Sequence, residues 1–238
     1  IPNLVSARQN SYEEFKNFAG LLFSFTLFMA FASLILSIVL MPLILQIPKG
    51  FTQEAIEYTK TSYVLLLPYL FFSFLFHHFG AVLRSVRRFT AFFVGELIFS
   101  FFSFLFIAIG LYLLRDYRVI PASLSLSQLL ATLYIMYLGR EFIEVKLFYD
   151  ERVKKLIKQF LFLSALYGVF HLYILVDRFF GSLLGEKAVS ALAYGLMLGT
   201  ALRGVLKFEH MAITSLSEVK GSIEKLNFYA KKLLLVSI

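Results

Sequence analysis

A chain of 238 residues that is 59% apolar, only 16% charged and of mean hydropathy +0.79 carries more apolar side chain than a soluble core of its length can bury. Its formal net charge of +8 and pI of about 9.6 do not point to nucleic acid, because the Lys and Arg residues lie between apolar stretches and form no continuous stripe; anionic lipid is the better partner. Cysteine is absent, which excludes disulfides, thiol catalysis and thiolate-held metal, and Trp is absent, so Tyr must supply any interfacial aromatic belt.

In chain order, residues 1–16 lack the apolar centre and small-residue cleavage site of a signal peptide. The first residue is Ile, and the apolar run from Phe228 to Ile238 is too short to span, so the expectation is a piece of a longer protein. No charge falls between Lys16 and Lys49, Lys60 and Arg84, Glu96 and Arg115, Arg118 and Arg140, or Lys158 and Asp177, which predicts five membrane-spanning helices. A sixth starts at Ala188 but reaches full length only by continuing through Arg203, Lys207 and Glu209 to about Ile213, and a seventh starts near Ile223. Pro48-Lys49-Gly50 closes the first helix and Pro121 with Ser123 opens the fourth; Pro68, inside the second, is expected to kink it.

Basic residues alternate between loops. One side carries thirteen, including Arg8, Lys16, Arg84, Arg87, Arg88 and the cluster from Arg140 to Lys158, against five on the other: Lys49, Lys60, Arg115, Arg118 and Lys187. Retention of Lys and Arg on the inner side makes the amino end cytoplasmic. Residues 140–158 mix six basic with four acidic residues around Phe142, Leu147, Phe148 and Leu156, the pattern of a charged helix or loop along the inner surface.

Ile1-Pro2-Asn3-Leu4, Ser11-Tyr12-Glu13 and Phe18-Ala19 overlie Ile213-Thr214-Ser215-Leu216, Ser222-Ile223-Glu224 and Tyr229-Ala230 with one residue of slack. The interval encloses six helices and returns to the same side, as parallel repeats require, and implies two six-helix lobes. Residues 1–150 would be the last four helices of the first lobe, and residues 151–238 the first two and the start of the third of the second.

Ile1-Pro2-Asn3-Leu4, Lys49-Gly50-Phe51, Leu67-Pro68-Tyr69, Ala81-Val82-Leu83-Arg84-Ser85 and Arg88-Phe89 resemble segments of the lipid II flippase family, MurJ or MviN, of the multidrug/oligosaccharidyl-lipid/polysaccharide exporter superfamily. The most specific lies at Val176-Asp177-Arg178-Phe179, Ser182-Leu183-Leu184-Gly185, Val189-Ser190-Ala191-Leu192 and Tyr194. The resemblance implies an all-α polytopic transmembrane bundle, part of a two-lobe fold, in the bacterial inner membrane. It also implies transport by alternating access of an undecaprenyl-pyrophosphate-linked peptidoglycan precursor, in the service of cell-wall biogenesis and cell shape. The chain would hold helices three to eight and the beginning of nine. One departure stands out: after Tyr194 the family places an Arg at the third position, whereas this chain reads Gly195-Leu196-Met197.

Among the charged residues, Arg203 and Lys207 lie four apart, with His210 three further on, so all three share a helix face. Such a strip would suit a pyrophosphate; the alternative is that Lys207 snorkels to the surface and only Arg203 is buried. Asp177 and Arg178 close the preceding helix on the outer side, as interface anchors or as an outer gate. The expected substrate-binding residues are therefore Arg203, Lys207, Asp177 and Arg178. Glu96, about two turns into its helix, either snorkels or forms a proton or cation site. His77 and His78, adjacent on a helix, point about 100° apart and make no shared metal site. No phosphate loop, nucleophile elbow or catalytic carboxylate pair occurs, so neither an enzyme nor a cofactor is expected.

The expected function is lipid II flipping, with the lipid-linked precursor, membrane lipids and a coupling cation as partners and no nucleic acid. The alternatives are export of another undecaprenyl-linked glycan or of a cation-coupled small molecule, and a truncated, non-functional remnant.

Overall fold

The computed structural model describes residues 1–146 and 151–204. Every regular element among them is helical: α1 (Pro2–Asn10), α2 (Tyr12–Ile44), α3 (Gln53–Ser85), α4 (Phe89–Leu114), α5 (Val119–Leu138), a 3-10 turn (Arg140–Phe142), α6 (Glu151–Leu183) and α7 (Glu186–Gly204). Five are long and apolar enough to cross a membrane, in α2, α3, α4, α5 and residues 157–183 of α6. They coincide with the five uncharged stretches of the sequence. At 33 residues each, α2 and α3 are about 50 Å long, well beyond a hydrocarbon core of about 30 Å. Their charged first turns therefore belong to the helix without having to enter lipid.

Local chemistry sets the boundaries. Ser11 caps α2, its Oγ accepting the Glu14 N–H at 3.0 Å, and Thr52 caps α3 through the Ala55 N–H at 3.2 Å. The end of α3 is a left-handed cap: Arg87 has φ 63°, and the Arg88 N–H reaches back to the Leu83 carbonyl at 2.9 Å. A side chain there costs about 1 kcal/mol relative to glycine, while the positive charge suits the carboxyl end of the helix dipole.

The described residues form two compact units. One contains Ile1–Leu34 and residues 65–146; the other contains Ile35–Val64 and residues 151–204.

In the first unit the partner pairs give the helix directions. Phe23 meets Phe79 and Phe31 meets Phe71, residue numbers rising on α2 as they fall on α3, so the two are antiparallel. Phe76 meets Phe92 and Tyr69 meets Phe99, so α3 and α4 are antiparallel as well. Between α3 and α5 the pairing advances in step: Ser125 Oγ donates to the Leu65 carbonyl at 2.5 Å and Thr132 Oγ1 to the Phe72 carbonyl at 3.1 Å. Those two helices are parallel, as alternate crossings require. Polar side chains that bond across helices in this way hold the bundle where apolar burial cannot, since lipid competes for apolar surface.

Glycine sets how closely α3 and α4 approach. A Cβ at Gly80 would lie 2.5 Å from Phe92 Cδ2, and one at Gly95 would lie 2.8 Å from Phe76 Cε2, so each helix seats a phenylalanine in the other's notch. Around this interlock lies the core of Phe23, Leu75, Phe76, Phe79, Leu83, Phe92, Ala131 and Ile135. Leu97, Phe101 and Phe104 form an exposed apolar stripe along α4, the surface a lipid-facing helix presents.

One end of this unit gathers polar groups. Arg8 Nη1 donates to the Ser85 carbonyl, Tyr12 OH donates to Glu141 at 2.9 Å, and Arg88 pairs with the same carboxylate at 3.6 Å. Residues 143–146 fold back on α2, where the Lys146 N–H donates to Ser24 Oγ at 2.8 Å, and Phe142 packs edge-on against Phe15. The single surface segment expected over residues 140–158 is thus divided. Its first part is this folded-back loop, and from Glu151 onward it is the start of α6. Apolar Phe142 draws the loop inward, and Arg152, Lys154, Lys155 and Lys158 join the long helix.

Substitution of Gly80 by Ala should lower stability by about 1–3 kcal/mol, because the ring of Phe92 has nowhere to go. Gly195→Ala, with open space around it, should be neutral or stabilising by up to about 1 kcal/mol. Unfolding of the two variants in detergent micelles checks the contrast.

Candidate functional site

Asp177 and Arg178 do not end their helix as the sequence suggested. α6 continues through Phe179, Phe180 and Gly181 to Leu183, because nothing breaks it before Gly185, which takes φ 95°. Both residues are half-buried in the second unit, and the Arg178 Nε is buried with no hydrogen-bond partner among the described residues. Beside them a 380 Å³ cavity is lined by Leu43, Gln46 and Ile47 on one side and Leu175, Val176, Phe179 and Phe180 on the other. Its walls are almost wholly apolar. Asp177 and Arg178 therefore adjoin an apolar groove and do not line it.

The same unit ties the α6–α7 junction to the loop before α3. Thr52 donates to Glu186 Oε1 twice, from its backbone N–H at 3.1 Å and from its hydroxyl at 2.8 Å, while its Oγ1 also caps α3. Gly50 lies so close to the Ser182 carbonyl that no side chain fits there. Hydrogen bonds from the Thr52 backbone and hydroxyl hold the Glu186 carboxyl below its ordinary range.

Arg203 lies on the last turn of α7, one residue before Gly204. Lys207 and His210 lie outside the described residues, as do the seventh helix and the second copy of the internal repeat. Tyr194 and Met197 are both exposed at 68%, so the Gly195-Leu196-Met197 segment lies on an open face of its unit.

A second polar feature lies within the first unit. Glu96, eighth residue of α4 and so about 10 Å along it, lines a 240 Å³ cleft with His77, Tyr69 and Ser73 of α3, Ser100 of α4 and Gln128 of α5, walled by Phe76 and Phe99. Sequence reasoning singled out Glu96 and His77 but missed the other four polar groups. The signal was present: Tyr69, Ser73 and His77 repeat every fourth residue, as do Glu96 and Ser100, giving one polar face on each of two apolar helices. His78, one position on, points elsewhere. It is buried, its Nδ1 3.2 Å from Thr26 Oγ1, and its Nε2 has no hydrogen-bond partner among the described residues.

A model of the family described as lipid II flippase MurJ matches residues 1–229. No curated protein and no solved structure matches the chain.

Thr52→Val should bring the Glu186 carboxyl back towards its ordinary titration range, seen by NMR of side-chain-labelled glutamate. Since the folded carboxyl titrates below its unfolded value, the tie is fully present at neutral pH and lost only as pH falls through that lowered value. Glu186 is exposed, so the effect on overall stability should be small.

Proposed function

We propose that this chain, which belongs to the lipid II flippase MurJ family, moves an undecaprenyl-pyrophosphate-linked peptidoglycan precursor across the bacterial inner membrane by alternating access. The family match over nearly the whole length carries the reading. Support comes also from five helices apolar enough to span a bilayer and from antiparallel neighbours that cross it in alternation. The family is one of transporters, and the chain's part is to bind and expose its cargo, without making or breaking covalent bonds.

In this reading residues 1–150 belong to the first lobe and residues 151–238 open the second, with the amino end cytoplasmic. The polar cluster of Arg8, Tyr12, Arg88, Glu141 and Lys146 would then sit at the inner surface, where basic side chains meet anionic lipid. Arg203 and Lys207 bind the pyrophosphate, whose charge needs paired cations in a medium of low dielectric. Asp177 and Arg178, near the far end of α6, gate the outward opening. The partly desolvated Arg178 suits that role, since its Nε is available to a partner presented in another state.

A second reading, export of a different undecaprenyl-linked glycan, is favoured by Gly195-Leu196-Met197, where the family's arginine is missing. A changed headgroup contact at that position would change which glycan is held.

Flipping is measured in cells depleted of their own flippase and supplied with the full-length protein, by the access of an externally added enzyme to labelled precursor. Arg203→Ala with Lys207→Ala should lower the flipped fraction by on the order of tenfold, and the lysine and arginine replacements should retain much of it. Normal flipping by the double alanine variant would remove these residues from the site. Failure of the unaltered protein to restore flipping, with restored export of another lipid-linked glycan, would favour the second reading.

A further inference from the structure

We propose that the cleft between α3, α4 and α5 is a binding site for one alkali-metal cation, held by the Glu96 carboxylate and the oxygens of Gln128, Ser73, Ser100 and Tyr69. This deepens the transport reading by naming a coupling ion, and rests on that reading only for the ion's use.

The first ground is composition. Five of the six polar side chains lining the cleft offer oxygen, as a carboxylate, an amide and three hydroxyls, and oxygen ligands select hard cations over transition metals. The second is charge. Among the described residues that line the cleft Glu96 is the one carboxylate, and it neutralises a monovalent ion; a divalent ion would keep a net charge at a depth where charge is expensive. At 240 Å³ the cleft also admits an ion with part of its water, but not a headgroup of disaccharide size.

The third ground is rigidity. Gln128 is only 4% exposed, and Ser125 and Thr132, on either side of it along α5, anchor that helix to α3 through the Leu65 and Phe72 carbonyls. Glu96 immediately follows Gly95, the notch that receives Phe76, so the interlock that fixes α3 against α4 also fixes the carboxylate. A donor set positioned by packing loses little conformational freedom when the ion arrives.

Two basic side chains lie near the site. His77 lines the cleft itself, and Arg84, further along α3, attracts Glu96 electrostatically. The Arg84 side chain is held away by its own contacts: its guanidinium lies 4.0 Å from the centre of the Phe92 ring, and Nε donates to the Gly80 carbonyl at 3.0 Å. Its charge therefore weakens cation binding at a distance without occupying the cleft, which points to an affinity low enough for release.

The test uses the full-length protein in detergent micelles, with choline as the only background cation and radiolabelled sodium or rubidium, the latter standing for potassium, in equilibrium dialysis. Saturable binding of one ion per chain is expected, and the two isotopes distinguish which ion is preferred. Glu96→Gln should weaken binding at least about tenfold and Gln128→Leu severalfold, each with unchanged helix content. A melting shift on adding the ion should be present in the unaltered protein and in Glu96→Asp but absent in Glu96→Gln; the aspartate and Gln128→Leu variants carry the test if the glutamine variant does not fold. The absence of saturable binding, binding unaffected by Glu96→Gln and Gln128→Leu, or proton uptake at Glu96 with no response to either metal ion would each overturn the proposal. No lipid-linked substrate is present, so ion binding by a protein that does not flip would sink the flippase reading alone, and flipping without ion binding would sink this one alone.

Discussion

Lipid tails are as apolar as leucine, so helices inside a bilayer gain little from covering one another's apolar surface. What fixes the first unit is therefore what lipid cannot imitate: close approach and hydrogen bonds between helices. The reciprocal seating of Phe92 at Gly80 and Phe76 at Gly95 supplies the first, and the bonds from Ser125 and Thr132 to α3 carbonyls supply the second. Register follows from both together. A ring in a notch does not slide along its neighbour, and two bonds seven residues apart on each of two helices hold at one offset only.

The position of the polar groups follows from that register. Because Glu96 is next to a notch and Gln128 lies between two anchors, the side chains of three separate helices converge on one cleft. The apolar stripe of Leu97, Phe101 and Phe104 on the same helix lies on an exposed face. One helix thus serves two solvents, presenting lipid-compatible rings on one face and ion-compatible oxygens on another.

Polar contacts in the second unit concentrate where the loop before α3 meets the α6–α7 junction. Thr52 caps one helix while donating twice to the first residue of another, and Gly50 permits the approach of the Ser182 carbonyl. The Lys49-Gly50-Phe51 and Ser182-Leu183-Leu184-Gly185 segments are two of those that resemble the flippase family, and the fold brings them into contact. Their likeness to that family has a physical reading here: a tight turn that needs a glycine and a helix end that needs a partner.

The presence of the five spanning helices among the described residues was decided by the sequence alone, because a run of about 20 uncharged residues has no stable place other than hydrocarbon and no conformation there other than helix. The caps at Ser11 and Thr52 belong to the same local chemistry. Local pattern did not reveal that α6 runs on past Asp177, since a charged pair reads as a boundary although helix geometry tolerates it, nor that Phe142 draws its loop back onto α2. Tertiary structure alone decided that Tyr69, Ser73, Glu96, Ser100 and Gln128 share one space, and that Gly80 and Gly95 face rings and not lipid. Periodicity states which residues lie on one face of a helix. Which faces meet depends on packing between segments far apart in the chain, and that information is in the shapes of the side chains rather than in their order.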